Sequence, residues 1–288
     1  MSDAEAADRD DRDGRDGRDG ARELPAHLTD SAGVPWAGRA FEANPHAGDD
    51  GSTPPELGAA LARFRDGDGS QAAVVAEFGR ARLLIPLLAE LGDPSAGSGE
   101  SGGAELGPHG HPVDKSQELS IVTVDGPDGR RVLPVFSSVE AMREWNPEAR
   151  PVPADGVRVC LAAADDGTEL VVLDAGSGNE FVLRRPAVWA VAQSHDWAPP
   201  FESVPVRLAF ERSIGSELAV LGIDLAAGDP LSQLAGPELV VVLHLVEGLT
   251  REELDATTAR LARRWAEDDA IATGVDSLAV RLVGGRAA

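Results

Sequence analysis

The sequence predicts an α+β fold: a mixed, mainly antiparallel sheet with flanking helices, followed by a smaller α/β unit. Two hairpin signals, with helical segments interleaved between them, carry that prediction. The first hairpin joins 120–124 to 130–136 through Gly126-Pro127-Asp128-Gly129. The second joins 169–173 to 179–184 through 174–178.

Residues 1–53 offer little to bury. Residues 12–20 are a triplet repeat of arginine, aspartate and glycine, which predicts a disordered acidic tail. Trp36 and Phe41 are the exceptions within it. The first domain is expected over 54–195. Leu57, Ala60, Leu61 and Phe64 mark one helical face, 66–70 breaks it, and 71–80 forms a second helix with Val74, Val75 and Phe78 inward. Residues 81–91 are apolar nearly throughout and read as a central strand. Residues 92–114, rich in glycine, serine and proline, read as an exposed loop. A strand is expected at 157–163, and a helix at 186–194 with proline in its first turn.

Residues 196–203 contain Pro199-Pro200 and read as a linker to a second unit at 203–288. That unit is expected to run as a strand at 204–210, a helical run at 216–221 and a strand at 238–245. A helix at 250–265 and a closing strand at 277–283 follow. The helix has the strongest signals: Thr250 with Glu253 makes a capping box, and Leu249 with Leu254 fits a hydrophobic staple.

The block 133–153 can be read almost residue by residue. Ser137 with Glu140 reads as a capping box that opens a short helix. Val139, Met142 and Trp145 fall on roughly one helical face. Asn146-Pro147 ends the helix, because a residue before proline is pushed out of the α region. Pro151 and Pro153 keep the exit extended. This block resembles the N-terminal domain of the SseB family, whose members show a strand ending in Pro-Val-Phe-(Thr/Ser)-Ser and then a short helix closing on tryptophan. Segments 55–64 and 81–88, the pair Leu173-Asp174 and segment 181–190 match as well, so the resemblance covers 55–195. Ser137 stands where threonine is commoner. The resemblance implies the fold and a C-terminal companion domain at 203–288. The family name comes from an enhanced-serine-sensitivity phenotype, which implies a link to amino-acid metabolism. A type III secretion translocon component carries the same name. Neither the long heptad arrays nor the membrane-inserting run of such a component is present.

The chain carries a formal net charge of −23. The acidity is spread, at −7 for 1–53, −10 for 54–200 and −6 for 201–288. No basic stripe exists to neutralise phosphates, which argues against nucleic acid and against an anionic membrane surface. Apolar residues make up 42%, enough for a core. Cys160 is the only cysteine, so an intrachain disulfide is impossible and a reducing compartment is expected. With no signal-peptide pattern and no long apolar run, a cytoplasmic location is the expectation.

No catalytic, cofactor or metal residue is assigned. Asp66, Asp68, Ser70 and Glu77 imitate a calcium loop, but Gln71 occupies the position that needs glycine. Gly97, Gly99 and Gly102 match a dinucleotide pattern without its strand and helix. His109 and His111 lack a third ligand nearby. Cys160 reads as a small core residue. Ser194-His195-Asp196 reads as a helix end with histidine set against the dipole. Trp145, flanked by Arg143 and Arg150, marks a candidate interaction surface, since tryptophan and arginine are favoured in binding hot spots. The expected function is a non-enzymatic accessory that binds another protein, with no cofactor, no nucleic acid and no membrane; the oligomeric state stays open. The alternative is a small-molecule sensor or enzyme linked to serine metabolism, and behind it a secretion-system component.

Overall fold

A computed structural model describes residues 48–91 and 117–285. The expected tail up to residue 47, with Trp36 and Phe41, the glycine motif and His109-Gly-His111 lie outside the described residues; 49–53, expected as the end of that tail, instead pack on the fold, the Gly51 carbonyl accepting from the Val139 amide. Helices α1 (Pro55–Arg65) and α2 (Gln71–Arg80) open the fold, and the Ser70 hydroxyl caps α2 by accepting from the Ala73 amide at 3.2 Å. The residues that imitate a calcium loop thus form a helix end and a helix start. Strand β1 (Arg82–Leu91) is central, between β2 (Gln117–Ile121) and β5 (Arg150–Asp155), both antiparallel to it. A second sheet runs β3 (Val124–Asp125), β4 (Arg131–Val135), β6 (Val171–Leu173), β7 (Phe181–Leu183). Only β4 and β6 are parallel in it. The mixed, mainly antiparallel α+β architecture is therefore the one expected, and both hairpins form, the first through the short β3.

The second sheet is covered on both faces, which explains its unbroken apolar runs. Leu133, Val135, Val171, Leu173, Phe181 and Leu183 join the main core with α1 and α2. Val132, Val172 and Val182 face the other way, against Leu234.

Two strands expected from valine-rich composition are helices. Residues 157–163 lie in α4 (Gly156–Asp165), where Gly156, Val159, Cys160 and Ala163 are buried at helical spacing. A Cβ at Gly156 would collide with the Phe78 carbonyl, so glycine lets α4 start against α2. Residues 204–210 begin α6 (Val204–Ile214), which buries Val206, Ala209 and Phe210. The helical run expected at 216–221 is a turn leading into β8 (Val220–Ala227). In both helices the burial pattern overrides the β preference of the local residues. The remaining helices are α3 (Val139–Trp145) and α5 (Arg185–Ala192).

A third sheet of order β10-β9-β8 contains β9 (Leu239–Val246) and β10 (Leu278–Gly285), which are parallel to each other. Helices α7 (Arg251–Glu267) and α8 (Asp269–Gly274) complete that region. The predicted capping box of α7 forms in full: the Thr250 amide donates to Glu253 Oε2 at 2.8 Å, and the Glu253 amide donates back to Thr250 Oγ1 at 3.3 Å. Trp265 packs edge-on to Phe210, with ring centroids 5.2 Å apart.

From Asp49 onward the described residues form one compact unit. A buried ionic cluster joins its third sheet to its second. The Arg184 side chain is 7% exposed; it donates to Asp229 Oδ2 at 2.7 Å, to the Gly236 carbonyl at 2.7 Å and to Asp276 Oδ2 at 3.3 Å. Arg130, from the first hairpin turn, grips Asp276 with two hydrogen bonds of 2.9 and 3.1 Å. Burial pushes the Asp276 carboxyl up, but Arg130 and then Arg184 outweigh it and hold it below the usual range. Glu238 lies alongside and accepts from the Asp276 amide at 2.6 Å. Burial pushes Glu238 up to about 7, with the Asp276 charge adding to the effect.

Arg184→Met should lower stability by about 3–5 kcal/mol, because it leaves buried carboxylates short of a cation. A urea midpoint equal to wild type would show that the cluster does not hold the sheets. Glu238 gives a pH test. Its folded pKa lies above its unfolded one, so its stabilising contribution is complete below about pH 4.5 and is lost as pH rises to about 7, at most about 3 kcal/mol. Glu238→Gln should flatten that part of the stability curve; an unchanged slope would place the titration elsewhere.

Candidate functional site

Four strand and loop ends meet around Ser137. The parallel pair β4–β6 delivers its two carboxyl ends side by side, at Phe136-Ser137 and at Asp174. Asp174 takes a left-handed backbone, φ 51°, which aspartate tolerates better than most residues. Its amide donates to the Val135 carbonyl at 2.8 Å. Its carboxylate then accepts from the Ser137 amide at 2.7 Å and from the Ser137 hydroxyl at 2.8 Å. Both residues are buried.

Ser137 is therefore not the helix cap. That role falls to Ser138, whose hydroxyl accepts from the Ala141 amide at 3.1 Å. The expected cap was one residue off because Asp174, 37 positions away, competes for the first of two adjacent serines. The rest of the block behaves as expected. Met142 is buried, Trp145 packs tilted against Phe136 with centroids 5.3 Å apart, and α3 stops before Asn146-Pro147.

Segment 49–53 closes over this centre. The Thr53 hydroxyl lies 2.9 Å from the Ser137 hydroxyl and donates to it, since Ser137's own proton goes to Asp174. The Val139 amide donates to the Gly51 carbonyl at 2.9 Å. Gly51 has φ +78°, and a Cβ there would meet Val139 Cγ2 at 2.8 Å, so the contact requires glycine. Arg82 donates to the Ser137 carbonyl at 2.9 Å and binds the Asp49 carboxylate. Sequence reading missed Arg82 and the coupling of Ser137 to Asp174, although Leu173-Asp174 was among the matched segments.

Between segment 50–53 and α3 lies an open cleft of about 750 Å³, with Arg143, Glu140 and Glu144 along it. Arg143 is exposed in that cleft, and Arg150 is exposed on the edge strand β5 opposite Leu87. Neither arginine makes an ion pair among the described residues. Trp145 is half-buried and turned to Phe136, so the structure separates the aromatic ring from its flanking cations.

Burial pushes the Asp174 carboxyl above the usual range, opposed by its two bonds from Ser137. Ser137 is 2% exposed, and its hydroxyl proton goes to Asp174, a residue itself 1% exposed. As built, the cluster cross-links two strand ends, α3 and segment 49–53. Cys160 is fully buried in α4, and burial pushes its thiol up to about 12. Ser194, His195 and Asp196 are exposed beyond α5 and share no hydrogen bond among themselves. They border a recess of about 450 Å³ with Val75, Val191 and Trp197. Among the described residues, no group of three or more histidine, cysteine, aspartate or glutamate side chains is placed to hold a metal ion. No helix there is long and apolar enough to cross a membrane.

Fold and site together define an α+β domain organised around a buried serine–aspartate clasp. Residues 57–190 match the SseB protein N-terminal domain, so this part of the chain is similar to that domain. Neither the curated proteins nor the solved structures gave a match.

Asp174→Ala should cost about 2–4 kcal/mol, since it orphans a buried amide and a buried hydroxyl and forces alanine into a left-handed backbone. Asp174→Asn, which keeps an acceptor and tolerates that backbone, should lose less. Equal thermal midpoints for the two variants would remove the clasp from the account.

Proposed function

We propose that this SseB-like chain is a non-enzymatic accessory that works in the cytoplasm by binding another protein, and that α3 and β5 present the binding surface. The carrying observation is the division of labour within the signature block. Its polar and aromatic groups, Ser137 and Trp145, turn inward and fix the backbone. Its two arginines, Arg143 and Arg150, stay exposed and make no ion pair among the described residues. Exposed guanidinium groups, Arg143 beside the open cleft and Arg150 on the edge strand, suit recognition of carboxylate-bearing partner segments. The overall acidity and the lack of a basic stripe support a protein partner over nucleic acid or an anionic bilayer. In this reading 54–195 is the first domain and 203–288 an SseB-like C-terminal domain.

The test is retention of a specific partner from lysate by the full chain. Arg143→Glu with Arg150→Glu should abolish that retention while the circular dichroism spectrum and urea midpoint stay at wild-type values. If the charge-reversed protein retains the same partner to the same extent, the surface is wrong. If wild type retains none, the protein-binding reading falls.

A further inference from the structure

The third sheet carries a second feature, separate from α3 and β5. On β9, Leu239, Val241, Leu243 and Leu245 are buried under the helices, together with Leu261 and Trp265. The parallel register sets Leu278, Val280 and Leu282 of β10 beside Leu239, Val241 and Leu243, so this row shares the helix-facing side. Val280 and Leu282 are nonetheless 40% and 41% exposed. Between this row and α7 runs a trough of about 680 Å³, walled by Ala259, Ala262 and Val280 and floored by Trp265 and Ile271. The trough is open to solvent, but its volume falls within the range of small-molecule sites and its lining is mainly apolar.

Arg185 lines the same trough. One guanidinium nitrogen, Nη2, donates to the Ala272 and Val275 carbonyls at 2.9 and 2.6 Å. The group also sits 5.4 Å from the centroid of the Trp189 ring, so its position is fixed. Its sequence neighbour Arg184 and nearby Arg130 both bind carboxylates. Arg185 has none within ion-pair distance among the described residues, and its Nη1 and Nε donors make no hydrogen bond there. The carbonyls at the end of α8 account for one nitrogen and leave the other two without a hydrogen bond among the described residues; the buried Glu238 feels the Arg185 charge but makes no ion pair with it. Of the acids on the trough, Asp276 is already held by two arginines. Asp255 is exposed and lies 3.7 Å from Arg251.

We propose that the trough binds an amphipathic monocarboxylate, its chain of roughly eight to twelve carbons along the alanine and valine walls and its carboxylate on Arg185. The apolar walls supply affinity. The immobilised, unpaired guanidinium supplies the preference for an acid over an alcohol or amine of equal length.

The test is calorimetric titration of the full chain with octanoate, octanol and octylamine. Octanoate should bind saturably and about tenfold more tightly than octanol, with octylamine weakest. Arg185→Leu should equalise octanoate and octanol. Ala262→Trp, at an exposed position that leaves the fold alone, should fill the trough and weaken octanoate at least about tenfold. The Trp variant decides the matter even if Arg185→Leu fails to fold. The proposal is overturned if octanoate shows no saturable binding, if octanol or octylamine matches it on wild type, or if Ala262→Trp binds octanoate as wild type does. None of these outcomes bears on partner retention through α3 and β5.

Discussion

One buried guanidinium decides how the two larger parts of the described chain fit together. Arg184 ends β7, and its fork reaches a loop aspartate before β9, a carbonyl of that same loop and an aspartate before β10. Removing such charges from water is expensive, several kcal/mol per ion, and is tolerable only when every lone pair is answered. Here no buried side-chain nitrogen or oxygen among the described residues lacks a partner. Apolar contact such as Leu234 on Val172 and Val182 makes the sheets adhere. It would tolerate sliding. A planar fork whose two ends bind separate aspartates does not, so the cluster sets the register in which adhesion occurs.

The same logic holds on a smaller scale around Ser137. Parallel strands deliver two carboxyl ends together, and that is where loops of an α/β-type sheet usually carry chemistry. In this domain the position is filled by a clasp. Asp174 adopts the left-handed backbone that aims its carboxylate at one amide and one hydroxyl, and Thr53 seals the hydroxyl from outside. The signature block of the matched domain is thus largely the set of residues needed to hold α3 and segment 49–53 in place. What it leaves outside is charge: Arg143 beside the cleft and Arg150 on the edge strand. A domain of this kind can keep its fold while its exposed rim varies.

Much of this was readable from local signals. Ser70 and Thr250 mark helix starts because capping is settled within four residues. Asn146-Pro147 marks a stop for an equally local reason. What failed was decided at a distance. Residues 157–163 and 204–210 read as strands because valine favours strands. The preference is worth under about 1 kcal/mol, and the close approach of Gly156 to Phe78 or the burial of Phe210 outweighs it. Ser137 and Ser138 are chemically identical, so only the distant Asp174 tells the clasp from the cap. Arg184 follows the apolar strand residues Phe181, Val182 and Leu183, and nothing local shows that its charge ends up buried.

The adjacent arginines at the start of α5 show what such distant partners imply. Arg184 and Arg185 are consecutive, and the chain carries many more acids than bases. Arg130, Arg184, Arg260 and Arg264 each bind a carboxylate. Arg185 binds carbonyls and an indole face. Two carbonyls are enough to position a guanidinium but do not neutralise it. A positioned charge with no ion pair among the described residues, at the edge of an apolar trough, favours an anionic headgroup, because the protein has already met the cost of ordering the side chain.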